Sequence, residues 1–216
     1  MTPEFRKIDL ANWPRRDQYD YYTQKLNIAY NTTARVQVDH LLDFCHANGY
    51  QFYPALAYVM TRAVNQLENF RMFRDGDGAL GIWDRLVPYC TFFHPDDKTV
   101  SGCWPACDVD FAAFYQDVAG DLERCSNYQD IPDCPDVPLN LYHLLCMPWL
   151  DFSSRRTVRA RKGPAFFPLI AVGRCTIENG KTTLPVNLQI AHAVCDGTHA
   201  EQFFRILQEE LDRFAG

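Results

Sequence analysis

The sequence predicts an α/β fold, with helices packed on a mixed β-sheet. Three observations carry this. Strand-like and helix-like patterns are interspersed along the chain instead of being segregated. Asn179-Gly180 stands between two apolar runs, a strong tight-turn signal, so part of the sheet is antiparallel. The second of those runs leads through a short glycine-containing segment into a strongly amphipathic helix. The chain has 216 residues, of which 47% are hydrophobic and 14% aromatic. That is enough apolar side chain to offset the entropy of folding and to exclude a disordered chain. Its length suits one core, so residues 1–216 read as a single domain.

Each element has its own justification. Ala34, Val36 and Val38 alternate with polar residues and predict a strand. Asp39 caps a short helix that ends near Gly49, with Leu41, Leu42 and Cys45 on its buried side. Pro54 suits the first turn of a second helix, whose apolar stripe is Leu56, Met60, Ala63, Val64 and Leu67. Phe70 to Phe73 and Leu80 to Trp83 flank a turn-like DGDG and read as a hairpin. Tyr89 to Phe93 and Thr99 to Cys103 are further strands. Asp108 to Cys125 is a helix with Phe111, Phe114, Tyr115, Val118 and Leu122 along one side. Ser126 to Pro138 is a loop rich in Pro and Asp. Phe166 to Arg174 and Thr183 to Ala191 are strands joined through Asn179-Gly180. Thr198 and Glu201 have the spacing of a capping box for the last helix, which buries Ala200, Phe203, Phe204, Leu207, Leu211 and Phe214.

Composition narrows the function. With 21 Lys+Arg against 27 Asp+Glu, the net charge of −6 argues against nucleic acid or an acidic membrane as partner. The start MTPEFRKIDL has no apolar run behind its positive charges, and no segment reaches the ~18–20 apolar residues of a membrane span. A cytoplasmic protein is expected. Nine cysteines, odd in number and irregularly spaced, fit reduced, packed thiols better than a disulfide scaffold. Cys103 and Cys107 lie closest, but no C-x2-C pair or spaced His pair completes a zinc site, so no metal is expected.

The most informative segment is Gln189-Ile190-Ala191-His192-Ala193-Val194-Cys195-Asp196-Gly197. A strand delivers His192 to its end, and Gly197 permits a tight turn behind it. Imidazole, with an ordinary pKa near ~6.5, is suited to general-base work at neutral pH. Taken alone, the H-x-x-x-D-G spacing also fits a buried histidine satisfied by backbone.

This stretch resembles the active-site signature of the chloramphenicol acetyltransferase family. Asn12-Trp13-Pro14-Arg15-Arg16 is similar to the family's N-terminal NW-x-RR. Tyr50 to Pro54 with Ala63 to Gln66, then Phe70-Arg71-Met72, Trp83-Asp84, Phe93-His94 and Pro148-Trp149, follow the family in order and spacing. The resemblance covers nearly the whole chain. It implies a two-layer α/β sandwich and a homotrimer with active sites at the subunit interfaces. It further implies an acyltransferase that moves acetyl from acetyl-CoA to a hydroxyl of a small molecule, an activity associated with antibiotic resistance. His192 is then the general base, and Asp196, paired with Arg16, supports it. The acceptor pocket implied by the resemblance comprises Tyr22, Ile28, Tyr30, Thr91, Val100, Thr157, Arg159 and Ile170. Arg155, Arg156 and Arg174 are the implied CoA contacts.

The sequence departs from the family at four places. The family's His pair is Ala191-His192, with the catalytic member kept. Leu145 stands where the family has a serine that donates to the tetrahedral oxyanion, a kind of donor worth about 10²–10³ in rate. Ala171 replaces a threonine that places an active-site water. The segment after Pro148-Trp149 is basic, with five Lys or Arg among the eight residues from Arg155 to Lys162. Such a run is either a solvated face or an anion-reading one. Alternative functions follow: an acyl-CoA transferase for an anionic acceptor, or a trimeric binding protein with a decayed site. A cysteine hydrolase using Cys195 is a weaker option.

Overall fold

The structure, a computed structural model, describes residues 3–76, 78–94, 96, 98–105, 110–126, 137–158 and 163–215. A seven-stranded mixed sheet carries helices on one face. Its strands are β2 (Ala29–Gln37), β5 (Val87–Phe93), β6 (Val100–Cys103), β7 (Leu141–Cys146), β8 (Leu169–Val172), β9 (Thr176–Glu178) and β10 (Lys181–Ala191). The main order is β2-β10-β8-β7-β5-β6, with β9 also paired to β10. β10 runs antiparallel to β2, β8 and β9, β5 antiparallel to β6, and β5-β7-β8 form a parallel centre. A smaller antiparallel sheet orders β1 (Phe5–Lys7), β4 (Leu80–Trp83) and β3 (Met72–Arg74).

The helices are α1 (Arg16–Asp20), α2 (Asp39–Asn48), α3 (Phe52–Asn65), α4 (Phe111–Ser126) and α5 (Gly197–Asp212). Alternation along β10 sorts the two faces. Leu184, Val186, Leu188 and Ile190 join Leu144, Ile170 and Val172 in the core with Leu56, Met60, Val118, Phe203 and Leu207 of the helices. Asn187 and Gln189 point to the other face, where Leu145 pairs with Ala171 and Ala171 with Asn187.

Several sequence expectations are refined. Asn179 and Gly180 both have positive φ (52° and 77°), the geometry of the hairpin turn the pair predicts, but they join β9 to β10. The apolar run from Phe166 to Arg174 is a strand only over β8. The last helix is capped by Asp196, with His199 as the reciprocal box residue, so the expected Thr198–Glu201 box is corrected. Asp196 accepts from Thr198 N at 3.1 Å, which places Thr198 inside the helix. β7 had no sequence signal. Most of the Ser126–Pro138 loop lies outside the described residues, as do Cys107 and Cys134.

Candidate active site

A π-helical turn, Tyr21–Leu26, precedes β2 and carries Tyr22. Such turns are rare and often sit at functional sites. Tyr22 stacks on the His192 ring (centroids 3.9 Å, 11° between planes), and Tyr30 meets it edge-on at 5.4 Å. His192 N donates to Ile28 O at 3.0 Å, which ties the end of β10 to the start of β2. Tyr22, Ile28 and Tyr30, three of the expected acceptor residues, thus surround the expected base. Among the described residues Nδ1 of His192 is buried and has no hydrogen-bond partner. This does not fit the backbone-satisfied histidine.

The loop behind His192 is held through Asp196. Its carboxylate accepts from Arg15 Nη1 at 3.0 Å and from Thr198 Oγ1 at 2.6 Å, and contacts His199 Nδ1 at 2.8 Å. Burial by itself raises the Asp196 carboxyl. Hydrogen bonds from Thr198 and Arg15, with His199 and Arg15 nearby, outweigh burial and hold it well below the usual carboxylate range. The arginine partner is therefore Arg15, which corrects the expected Arg16. Arg16 opens α1 and turns outward to Asp20 at 3.8 Å, four residues along its own helix. Two adjacent arginines gave no sequence signal to separate them. Burial pushes the Cys195 thiol up to about 12, which removes it as a neutral-pH nucleophile.

Two cavities lie away from His192. One of about 1090 Å³ is lined by Gln51, Tyr53, Thr91, Phe93, Cys146 and Trp149 among others. A smaller one, about 290 Å³, shares Phe52, Tyr53, Cys146 and Pro148 and adds Arg174. Thr91 and Arg174 thus line neighbouring cavities that share several residues. Val100 is 46% exposed at the start of β6, and Ile170 is fully buried on the helix-facing side, where it packs in the core. Arg156 is exposed, and Arg159 lies outside the described residues. Thr157 is clamped by Gln189, whose side chain accepts from Thr157 N at 2.8 Å and donates to Thr157 O at 2.7 Å. That clamp, which sequence reasoning missed, straps residues near 157 across the open face of the sheet. Among the described residues no cluster of three or more His, Cys, Asp or Glu could hold a metal, and no helix is long and apolar enough to cross a membrane.

Comparison with known proteins decides the family. Residues 3–208 match the family model described as chloramphenicol acetyltransferase. A chloramphenicol acetyltransferase of Clostridium perfringens is 32% identical over 208 residues, 96% of this chain and 99% of that protein. The chain belongs to the chloramphenicol acetyltransferase family. A Staphylococcus aureus chloramphenicol acetyltransferase is 32% identical over 209 residues, covering 97% of this chain and 96% of its own. A solved chloramphenicol acetyltransferase structure superimposes with a TM-score of 0.89 at 23% identity, covering 96% of this chain and all of that one. The fold of the family is therefore the fold described above.

Register sets the separation of His192 from the cavity wall. His192 follows Ala191 at the C-terminal end of β10. Cys146 pairs with Val172 and Val172 with Val186, six positions before His192. At ~3.3 Å per residue, and with two strand spacings sideways, His192 and the cavity wall are roughly 20 Å apart at opposite ends of the sheet.

Proposed function

We propose that the chain is a CoA-dependent O-acetyltransferase, with His192 as general base and acetyl-CoA as co-substrate. The family assignment makes it an acyltransferase, and His192 carries the reading. Its ring packs against Tyr22 and Tyr30 and its Nδ1 is enclosed, which makes Nε2 the nitrogen proposed to act. The acceptor hydroxyl gives its proton to Nε2 as its oxygen attacks the thioester carbonyl. Collapse of the tetrahedral intermediate breaks the C–S bond, and the leaving thiolate recovers the proton as free CoA. A positioned base of this kind is worth about 10²–10⁴ in rate. Arg15 and Asp196 position the loop.

The proposal includes assembly. A base and a cavity roughly 20 Å apart within one chain fit the interface sites that the family resemblance implies, with His192 of one subunit facing the cavity of its neighbour in a cyclic trimer. Arg174, at the cavity wall, meets the CoA phosphates. The protein acts in the cytoplasm on a small hydroxylated acceptor. Mixed assemblies test this. His192→Ala and Arg174→Glu are each expected to be inactive. When the two are unfolded together and reassembled at equal amounts, random mixing gives about a quarter of the sites an intact base and an intact cavity. Thiol release from acetyl-CoA should recover to that level. No recovery from a verified mixed trimer defeats the interface reading, and full activity of His192→Ala alone defeats the mechanism.

A further inference from the structure

We infer that Arg155 binds the negative charge of an anionic acceptor, so the natural substrate is a hydroxylated carboxylic acid or a similarly charged alcohol. This rests on the acetyltransfer reading and names its substrate class.

The observation is an uncompensated guanidinium. Among the described residues, the buried Nη1 of Arg155 has no hydrogen-bond partner and no carboxylate forms an ion pair with Arg155. Burial depresses the tendency of this guanidinium to hold its charge, with no acid opposing the effect. The nearest carboxylate along the chain, Asp151, is committed to Arg35 at 3.0 Å. Arg155 as a whole is half-buried, so part of it meets water, but the enclosed Nη1 of a group that stays charged is left for an acceptor atom that an anion would supply.

Its placement points to the acceptor. Thr157, two residues on, is clamped from both sides by Gln189, which holds the strap over the open face of β10. On that face Leu145 and Ala171 are cross-strand neighbours, and Ala171 pairs with Asn187, whose Oδ1 is also buried without a partner. Arg155 lines neither of the two cavities, one of which holds Arg174. CoA phosphates and an acceptor carboxylate share the chemistry an arginine fork recognises, and Arg174 already serves the first. Arg155 is left for the second.

The test pairs hydroxy acids with their own amides: lactate with lactamide, mandelate with mandelamide, 3-hydroxybenzoate with 3-hydroxybenzamide. Binding is measured by calorimetry and turnover by thiol release, on the wild-type assembly, Arg155→Met, Arg155→Lys and the control Arg205→Met at an exposed arginine of α5. The wild type should prefer at least one acid over its amide by about 10-fold or more. Arg155→Met should erase that preference with KM for acetyl-CoA unchanged. Arg155→Lys should keep part of it, and Arg205→Met all of it. A preference that survives Arg155→Met, or no preference for any acid, overturns the proposal. A raised KM for acetyl-CoA in Arg155→Met reassigns the arginine to the CoA phosphates. Loss of the assembly in Arg155→Met reassigns it to a carboxylate of a neighbouring subunit. Absence of turnover with every acceptor would count against acetyltransfer alone, because the calorimetric comparison still decides whether Arg155 reads an anion.

Discussion

Replacing Asp196 by Ala, in a double-mutant cycle with Arg15→Ala and Arg16→Ala, tests the machinery behind His192. The cap is lost first: Thr198 N and Oγ1 both give up an acceptor, at about 1 kcal/mol for an N-cap of this type. The Arg15 bond at 3.0 Å is lost second. Its side chains are 25% and 33% exposed, so it lies between an exposed pair, at about 0.2–1 kcal/mol, and a buried charged hydrogen bond, at about 1.5–3 kcal/mol. A coupling of about 1–2 kcal/mol follows, and about 2–3 kcal/mol for Asp196→Ala in all. For a chain of this size that is a fall in Tm of about 6–10 °C. Protomer concentration must be held fixed, since assembly contributes to stability. Coupling to Arg16 should stay below about 0.5 kcal/mol, because that side chain is turned to Asp20. The pH dependence has a definite sign. The Asp196 carboxyl is depressed in the folded chain, so its contribution is complete above the ordinary carboxylate pKa near ~3.9 and is lost as pH falls from there toward its folded value. A larger coupling to Arg16 than to Arg15, or a loss under about 0.5 kcal/mol in Asp196→Ala, refutes this account.

Two further substitutions address the sheet's open face. Leu145→Ser with Ala171→Thr returns two hydroxyls to adjacent positions of one row, and chloramphenicol acetylation should rise, by up to about 10²–10³ if the donor alone limits the rate. No rise in kcat would show that the site has been reshaped around another acceptor. Gly173→Ala would set a Cβ 2.6 Å from Leu150 O and 2.9 Å from Phe152, displacing the root of the strap. A stability loss of about 1–3 kcal/mol by denaturant unfolding and a raised acceptor KM are expected.

What the sequence revealed and what it hid follow from the range of each interaction. β10, the Asn-Gly turn and α5 were legible because local patterning specifies them. β7 was not, because LYHLLC alternates poorly: Tyr142 and Leu144 are fully buried, but Leu141 is buried as well and His143 only half-covered. Its strand character comes from parallel neighbours far away in sequence. At the site, the sequence pattern singled out the strand end that carries His192, while the roles of His192 and Asp196 came from the family resemblance and not from spacing alone. The choice of Arg15 over Arg16 was not, since it depends on which side of α1's first turn meets a loop 181 residues later. The Gln189 clamp on Thr157 was equally hidden, since a glutamine in a strand has no local pattern that names a partner 32 residues away.

The distribution of unsatisfied polar atoms argues against a decayed binding protein. Six buried side-chain nitrogen or oxygen atoms lack partners among the described residues. Four of the six belong to the proposed reaction machinery: His192 Nδ1, Arg15 Nε, Arg155 Nη1 and Asn187 Oδ1. Each such atom costs about 1–3 kcal/mol, and well-packed interiors satisfy nearly all of theirs. A chain with no chemistry left to perform gains stability by replacing them with apolar groups of similar shape. Here the apolar replacements of family polar groups are Ala191, Leu145 and Ala171, the last two neighbours in one row, while the base, its aromatic supports and an unpaired arginine remain. Polar cost kept beside the base, with hydroxyls exchanged for apolar groups in one row of the sheet, is the pattern of a site fitted to a different acceptor.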